Sequence, residues 1–134
     1  MAQIRHIAYR AENVEAMAAF FTAGLGLEIV ERRSSGAIDL SDGTINITVL
    51  PATLATPDGK PHVGVDHIGF TVADDVAAQR LIEVAGGKER NGVKLSSAHY
   101  ELKFEGPEGI VVDLGHWAGT APISDQRPAI VNSP

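Results

Sequence analysis

Cysteine is absent from the 134 residues, so disulfides, thiolate metal ligands and thiol nucleophiles are excluded. Positive charge is also scarce, because 11 Lys and Arg stand against 17 Asp and Glu, giving a formal net charge of −6. Nucleic-acid-binding proteins usually carry a basic face, so we expect no nucleic-acid partner. No apolar run approaches the ~20 residues that a membrane span needs, and the N-terminus lacks the apolar stretch of a signal peptide. We therefore expect a cytoplasmic protein that does not bind membranes.

The sequence does contain an internal repeat. A shift of 61 residues places residues 4–9 on residues 65–70 and pairs His6 with His67. The same shift, without a gap, pairs further identical residues. They include Ala16 with Ala77, Gly26 with Gly87 and Glu28 with Glu89. The repeat predicts two copies of one structural module.

The two modules are predicted at about 1–50 and 63–117, together forming a single domain. Residues 51–62 between them contain three prolines and a glycine, which predicts a linker. The chain after residue 117 is polar and contains further prolines. Residues 118–134 are therefore predicted to be a C-terminal tail.

Hydrophobic periodicity predicts the order βαβββ in each module. The opening strands alternate with period 2, as Ile7 and Tyr9 do against His6 and Ala8. Helical spacing follows in both modules, with Asn13 and either Asp74 or Asp75 as N-caps. The apolar residues at that spacing are Val14, Met17, Ala18, Phe21 and Leu25 in the first helix, and Ala77, Leu81, Val84 and Ala85 in the second. The predicted fold class is α+β, with two βαβββ modules forming one cupped mixed sheet and the helices outside.

The later strands of each module have one apolar row and one polar row. Residues 44–50, 99–105 and 110–115 all alternate in this way. If the polar rows share the concave face of a curved sheet, that face is a polar cavity. The residues on these rows, and on the matching rows of the opening strands, that could carry chemistry are His6, Asn46, His67, His99, Glu101, Lys103 and Asp113.

Four motifs carry a family resemblance. They are Arg-His-Ile-Ala around His6, Phe20-Phe21 followed by Gly-Leu-Gly-Leu at 24–27, Asp-His-Ile-Gly-Phe-Thr-Val around His67, and Gly-Pro-Glu-Gly-Ile-Val-Val-Asp-Leu ending at Leu114. In this order, together with the repeat, they resemble the vicinal oxygen chelate superfamily across residues 4–117. That superfamily includes glyoxalase I, extradiol dioxygenases, fosfomycin-resistance proteins, methylmalonyl-CoA epimerase and bleomycin-binding proteins. The resemblance implies a glyoxalase-like fold.

The resemblance also implies a metal site, because these proteins bind one metal where the two modules face each other. Its ligands come from the first and last strands of each module, which implies His6, His67 and Asp113 here. Asn46 takes the fourth position, since a shift of 67 residues places it on Asp113. Glyoxalase I has glutamate at the positions of Asn46 and Asp113, so this sequence departs from glyoxalase I at both. Two histidines and one carboxylate favour Fe²⁺, and Mn²⁺ or Zn²⁺ also suit them.

The remaining polar residues are assigned to substrate binding and catalysis. Asn46 cannot serve as a general base, because an amide does not accept a proton near neutral pH. It is expected to hydrogen-bond beside the metal or the substrate. Glu101 is the predicted catalytic base, and Lys103 and His99 are predicted to bind an anionic substrate group or relay a proton. The alternative for Glu101 and Lys103 is a solvated charge pair on an edge strand.

These features predict a metal-dependent enzyme. Its expected type is a glyoxalase-like lyase or isomerase that binds a small oxygen-rich substrate through two adjacent oxygens. One alternative is an extradiol-type Fe²⁺ ring-cleaving dioxygenase. A second alternative is a non-enzymatic binding protein of the bleomycin-resistance type with a metal-free cavity. Because the sheet edges of so small a protein favour pairing with a second chain, a homodimer is expected.

Overall fold

The computed structural model describes residues 1–56, 58–94, 100–119 and 121–122. Its internal contacts divide these residues into two compact units. The first unit contains His6–Asp66. The second unit combines Met1–Arg5 with the described residues from His67 onward.

The first module has the order predicted from the sequence. Its elements are β1 (Gln3–Ala11), α1 (Val14–Ala19), β2 (Glu28–Arg32), β3 (Ile38–Ser41) and β4 (Asn46–Pro51). The strands lie in the order β2-β3-β4-β1. The β1–β4 pair is parallel, whereas β2–β3 and β3–β4 are antiparallel.

The core of the first unit lies between α1 and one face of its strands. Ile38, Leu40 and Val49 are buried there against Ala18, with Met17 and other partly buried apolar residues packed around them. Alternation with period 2 sends the residues between them to the opposite face of the strands. The helix begins where the sequence predicts, because the Asn13 side chain accepts a hydrogen bond of 2.9 Å from the backbone N–H of Ala16.

The first helix ends differently from the prediction. After α1 the chain forms one π-helical turn, Phe20–Gly24, and Leu25 is exposed. A π-helix has more residues per turn than an α-helix. The turn therefore rotates position 25 away from the face that Met17 and Phe21 present to the core. The predicted continuation of the apolar stripe to Leu25 is wrong for this reason.

Asp42 closes the turn that leads from β3 into β4. Its Oδ1 accepts hydrogen bonds from the backbone N–H groups of Ile45 (2.9 Å) and Thr44 (2.8 Å) and from the Thr44 hydroxyl (2.7 Å). These bonds, first among them the one from Ile45, lower the pKa of Asp42 to about 2. The ionised carboxylate therefore supports the turn above its ordinary pKa, and that support is lost as the pH falls toward 2. The turn fixes where β4 begins, at Asn46.

The second module repeats the same order. Its elements are β5 (Gly64–Thr71), α2 (Asp75–Val84), β6 (Lys88–Lys94), β7 (Tyr100–Glu105) and β8 (Val111–Gly115), with a 3₁₀ turn at Pro107–Gly109. The strands lie in the order β5-β8-β7-β6. The β5–β8 pair is parallel, and the other two pairs are antiparallel. A short hairpin follows, formed by β9 (Trp117–Ala118) and β10 (Ala121–Pro122).

The second helix packs with a different face from the one predicted. Asp74 is its N-cap, and its side chain accepts a hydrogen bond from the Ala77 N–H. The core around Phe104 is covered by Ala78 and Ile82, whereas Leu81 is 71% exposed. A Cβ added at Gly87 would lie 2.4 Å from Ile82 Cγ2, so the chain passes close to this partly buried side chain. The predicted face through Leu81 and Val84 is wrong, because apolar residues occur on both sides of this helix and periodicity alone does not choose between them.

The α+β class and the two βαβββ modules are confirmed. The predicted strand at 99–105 begins at Tyr100, and residue 99 lies outside the described residues. Backbone hydrogen bonds fix the predicted linker, among them Ala52 N–H to Ala11 O and His62 N–H to Ala52 O, and Ala52 is buried. None of the helices in the described ranges is long and apolar enough to cross a membrane.

Neighbouring residues on α2 provide a test of its buried face. Ile82→Ala is expected to lower the free energy of unfolding by about 2 kcal/mol, because it removes apolar contacts with the core of the second unit. Leu81→Ala is the matched control and should change it by less than about 0.5 kcal/mol. Urea unfolding followed by circular dichroism measures both. A larger cost for Leu81→Ala would mean that the helix packs with the predicted face.

Candidate metal centre

A buried carboxylate in the second unit lies between an imidazole and an ammonium group. Asp113, on β8, is 2% exposed, and its Oδ2 lies 3.2 Å from Nε2 of His67 on β5. The same Oδ2 accepts a hydrogen bond of 3.1 Å from Nζ of Lys103. Lys103 stands directly opposite Asp113 in the antiparallel β7–β8 register. The carboxylate oxygen is therefore in contact with an imidazole, which can bind metals, and with an ammonium group, which can bind anions.

Burial makes this arrangement chemically significant. The side chains of His67 and Lys103 are 11% and 17% exposed. A charge removed from water is costly unless an opposite charge or hydrogen-bond donors surround it. Asp113 has both, so it is stable as a carboxylate at this position. An imidazole and a carboxylate are also ligands that Fe²⁺, Mn²⁺ and Zn²⁺ accept, and their donor atoms are close enough to share one ion. The donor set of His67 and Asp113 therefore fits a metal.

His6 and Asn46 face each other in the first unit. They are direct partners in the parallel β1–β4 register, and both are buried. Direct partners on adjacent strands point to the same side of a sheet. The face concerned is opposite to the apolar core under α1, as the alternation along β4 predicts. The structure therefore places the predicted ligand His6 beside the predicted hydrogen-bonding residue Asn46.

Strand pairing corrects the predicted equivalence of Asn46 and Asp113. In the first module Ile7 pairs with Ile47, and in the second module the repeat partner of Ile7, Ile68, pairs with Val112. Counting back one residue on each strand puts Asn46 opposite His6 but Val111 opposite His67. By this criterion Thr48, not Asn46, is the counterpart of Asp113. The difference is two residues, so the side of the sheet is unchanged.

The polar face of the first unit contains a second buried carboxylate, which is not among the predicted site residues. Asp39 is buried on β3, and its Oδ2 accepts a hydrogen bond of 2.8 Å from Nε of Arg33. Its Oδ1 accepts one of 2.7 Å from the hydroxyl of Thr48, its direct partner on β4. The available signal was an aspartate between Ile38 and Leu40, on an inner strand with period 2.

Arg10 fixes the chain just before His67. Its Nε lies 2.6 Å from Oδ1 of Asp66, and its NH1 donates a hydrogen bond of 2.7 Å to the Leu54 carbonyl. The guanidinium is mostly buried. It therefore connects β1 both to the segment after β4 and to the start of β5. The consequence is a defined position for Asp66, the residue that precedes His67.

The other predicted site residues have different outcomes. Glu101 lies on β7, two residues before Lys103 and paired with Val93 of β6. His99 lies outside the described residues. His62, which lies in the predicted linker, is exposed, and its Nε2 lies 3.1 Å from Oδ1 of Asp58. The roles of Glu101 and His99 stay predictions.

A shallow apolar groove in the first unit is separate from these residues. It has a volume of about 470 Å³ and is lined by Val63 and by residues between the end of β1 and the start of the π-helical turn, including Met17 and Phe20. None of the predicted site residues lies along it. The polar side chains described above are therefore the better candidates for chemistry.

Comparison with solved structures supports the same fold. A hypothetical protein from Bacillus halodurans C-125 is similar at a TM-score of 0.68 with 16% identity, covering 91% of this chain and 99% of that one. A Streptomyces coelicolor methylmalonyl-CoA epimerase in complex with 2-nitronate-propionyl-CoA is similar at 0.63 with 20% identity, covering 84% and 94%. The 2,3-dioxygenase LapB from Pseudomonas sp. KL28 is similar at 0.64 with 18% identity, covering 89% of this chain and 42% of that one.

Sequence comparison identifies the family. No curated protein matches the chain. A sequence model of one superfamily, however, matches residues 3–114, which include both modules and all the residues of the candidate centre. The chain therefore belongs to the Glyoxalase/Bleomycin resistance protein/Dioxygenase superfamily.

Proposed function

We propose that the protein is a metal-dependent enzyme of the glyoxalase-like lyase or isomerase type. Its substrate is a small oxygen-rich molecule that binds one divalent metal through two adjacent oxygens. The observation that carries the proposal is the pairing of buried Asp113 with His67, whose donor atoms are 3.2 Å apart. The fold similarity to a methylmalonyl-CoA epimerase supports the isomerase branch of the superfamily.

His6 is proposed as the third ligand. It is the repeat partner of His67 and is buried on the polar face of its own unit. Three protein ligands leave positions at which a substrate can bind, whereas a closed set of four is typical of structural sites. Asn46 is not needed as a ligand in this scheme. Directly opposite His6, it is placed to orient the imidazole or a substrate oxygen by a hydrogen bond.

The chain supplies the remaining groups for the reaction. A bound divalent metal would stabilise negative charge that develops on the substrate oxygens. Glu101 is proposed to take the proton from carbon, because Asn46 cannot and Asp113 is committed to the proposed metal. Lys103 is proposed to bind an anionic group of the substrate, with His99 as a second candidate. The cytoplasmic location and the homodimer stay predictions.

Histidine substitutions test the metal site. Elemental analysis of the purified protein should find close to one transition metal per chain. His67→Ala and His6→Ala should each lower the content to below about a tenth, because each removes one of three ligands. His62→Ala is the matched control, since His62 is exposed and outside the site, and it should retain the metal. Full occupancy in His67→Ala would refute the site.

Proton exchange tests the reaction class. The metal-loaded protein should incorporate solvent deuterium at the carbon next to a carbonyl group in a panel of 2-oxo and 2-hydroxy acids. Glu101→Gln should slow this exchange by at least 100-fold and leave the metal content unchanged, because a general base typically contributes 10²–10⁴-fold. If the exchange rate of Glu101→Gln equals that of the unaltered protein, another residue is the base.

A second candidate function is ring cleavage by an extradiol-type Fe²⁺ dioxygenase. The proposed ligand set of two histidines and one carboxylate favours it, because this set suits non-haem Fe²⁺. The fold similarity to LapB also favours it. The Fe²⁺-loaded protein would then consume oxygen in the presence of catechols. If oxygen uptake occurs while deuterium exchange does not, the second candidate replaces the first. A protein that binds ligands but neither metal nor oxygen would instead be of the bleomycin-resistance type.

A further inference from the structure

We propose that Lys103 is a resident counter-cation of Asp113. It holds the carboxylate when no metal is bound, and it leaves the carboxylate when a metal binds. The released ammonium group then binds an anionic group of the substrate. This inference rests on the proposed function for the position of the metal.

The geometry makes the metal and the lysine competitors. Lys103 Nζ and His67 Nε2 lie 3.1 Å and 3.2 Å from the same Asp113 Oδ2. An ion shared by His67 and Asp113 would therefore lie close to the ammonium group, and two cations at such a distance repel each other. Because Asp113 is 2% exposed, water and salt screen this repulsion weakly. The ammonium group thus has to move before the metal is bound tightly.

Lysine is suited to such a movement. Its ammonium is a compact charge on a flexible four-carbon stem, so the charge can move while the stem stays packed. The partial exposure of Lys103 gives the ammonium a route toward solvent. The contrast is Asp39 in the first unit, which is bonded at one oxygen by the planar guanidinium of Arg33 and at the other by Thr48. Of the two buried carboxylates, the one beside His67 therefore has the exchangeable partner.

Exchange of the counter-cation couples metal binding to anion binding. Once it has left Asp113, the ammonium group can bind a carboxylate on the substrate. The metal and an anionic ligand should therefore strengthen each other's binding by the same factor. This deepens the proposed function, because it assigns the substrate to small organic acids with adjacent oxygens rather than to neutral diols.

Metal affinity in the absence of substrate is the first test. Isothermal titration calorimetry with Mn²⁺ should give at least a tenfold lower Kd for Lys103→Gln than for the unaltered protein, because the competing charge is gone. Lys103→Arg keeps the charge and should not bind more tightly than the unaltered protein. Lys88→Gln is the matched control, since Lys88 is an exposed lysine at the start of β6, and its Kd should not change. Lys103→Met, which retains the apolar stem, replaces the Gln variant if that variant does not fold.

Coupling to an anion is the second test, with oxalate as the probe. Oxalate should tighten Mn²⁺ binding to the unaltered protein at least threefold more than it tightens binding to Lys103→Gln, after correction for the Mn²⁺–oxalate complex in solution. Equal tightening in the two proteins would overturn the substrate-binding part of the proposal.

The outcomes separate the two proposals. If neither protein binds Mn²⁺, Fe²⁺ or Zn²⁺, both the proposed function and the counter-cation role are wrong. If both bind Mn²⁺ with the same Kd, the metal site stands and the counter-cation role is overturned. Weaker binding by Lys103→Gln would also overturn it, because Lys103 would then support the site rather than compete for it.

Discussion

The central constraint on this protein is a buried negative charge at Asp113. A carboxylate that is 2% exposed needs opposite charge or donors around it, and the sheet supplies them from two adjacent strands. Lys103 approaches from the antiparallel neighbour and His67 from the parallel neighbour, and both reach the same oxygen. The pairing of β8 between β5 and β7 is what brings these two side chains together. Any metal cation that binds Asp113 therefore approaches a carboxylate oxygen that is already in contact with Lys103 and His67.

The third and fourth strands of the two modules carry differently charged residue pairs. On the inner strands of the first unit, Asp39 lies opposite Thr48, and on those of the second unit, Lys103 lies opposite Asp113. The acid is thus on the third strand of the first module and on the fourth strand of the second. The repeat preserved the side of the sheet, which depends only on period 2, while the side chains on that side diverged.

Much of the fold could be predicted because the signals are local and periodic. Alternation defined the strands, Asn13 and Asp74 marked the helix starts, and the repeat gave the number of modules. The buried face of α2 could not be predicted, because Leu81 and Ile82 are equally apolar and only packing against Phe104 distinguishes them. The π-helical turn before Leu25 and the two-residue difference in strand register have no local signal of this kind. For the site, motif and repeat selected His67 and Asp113, and strand alternation selected Lys103, but none of these signals selected the buried Asp39.

The two buried carboxylates, Asp39 and Asp113, differ in how easily a metal could replace their partners. Asp39 is bonded at both oxygens, by Arg33 and by Thr48, so a metal would have to displace two partners to reach it. Asp113 shares an oxygen with a flexible ammonium and has an imidazole beside it, which is itself a metal ligand. Because a mobile ammonium is displaced more easily than a planar guanidinium together with a hydroxyl, Asp113 rather than Asp39 is the carboxylate that suits the proposed metal. Different side chains at a few positions on the polar side of the strands produce this difference, while the order of the strands stays the same.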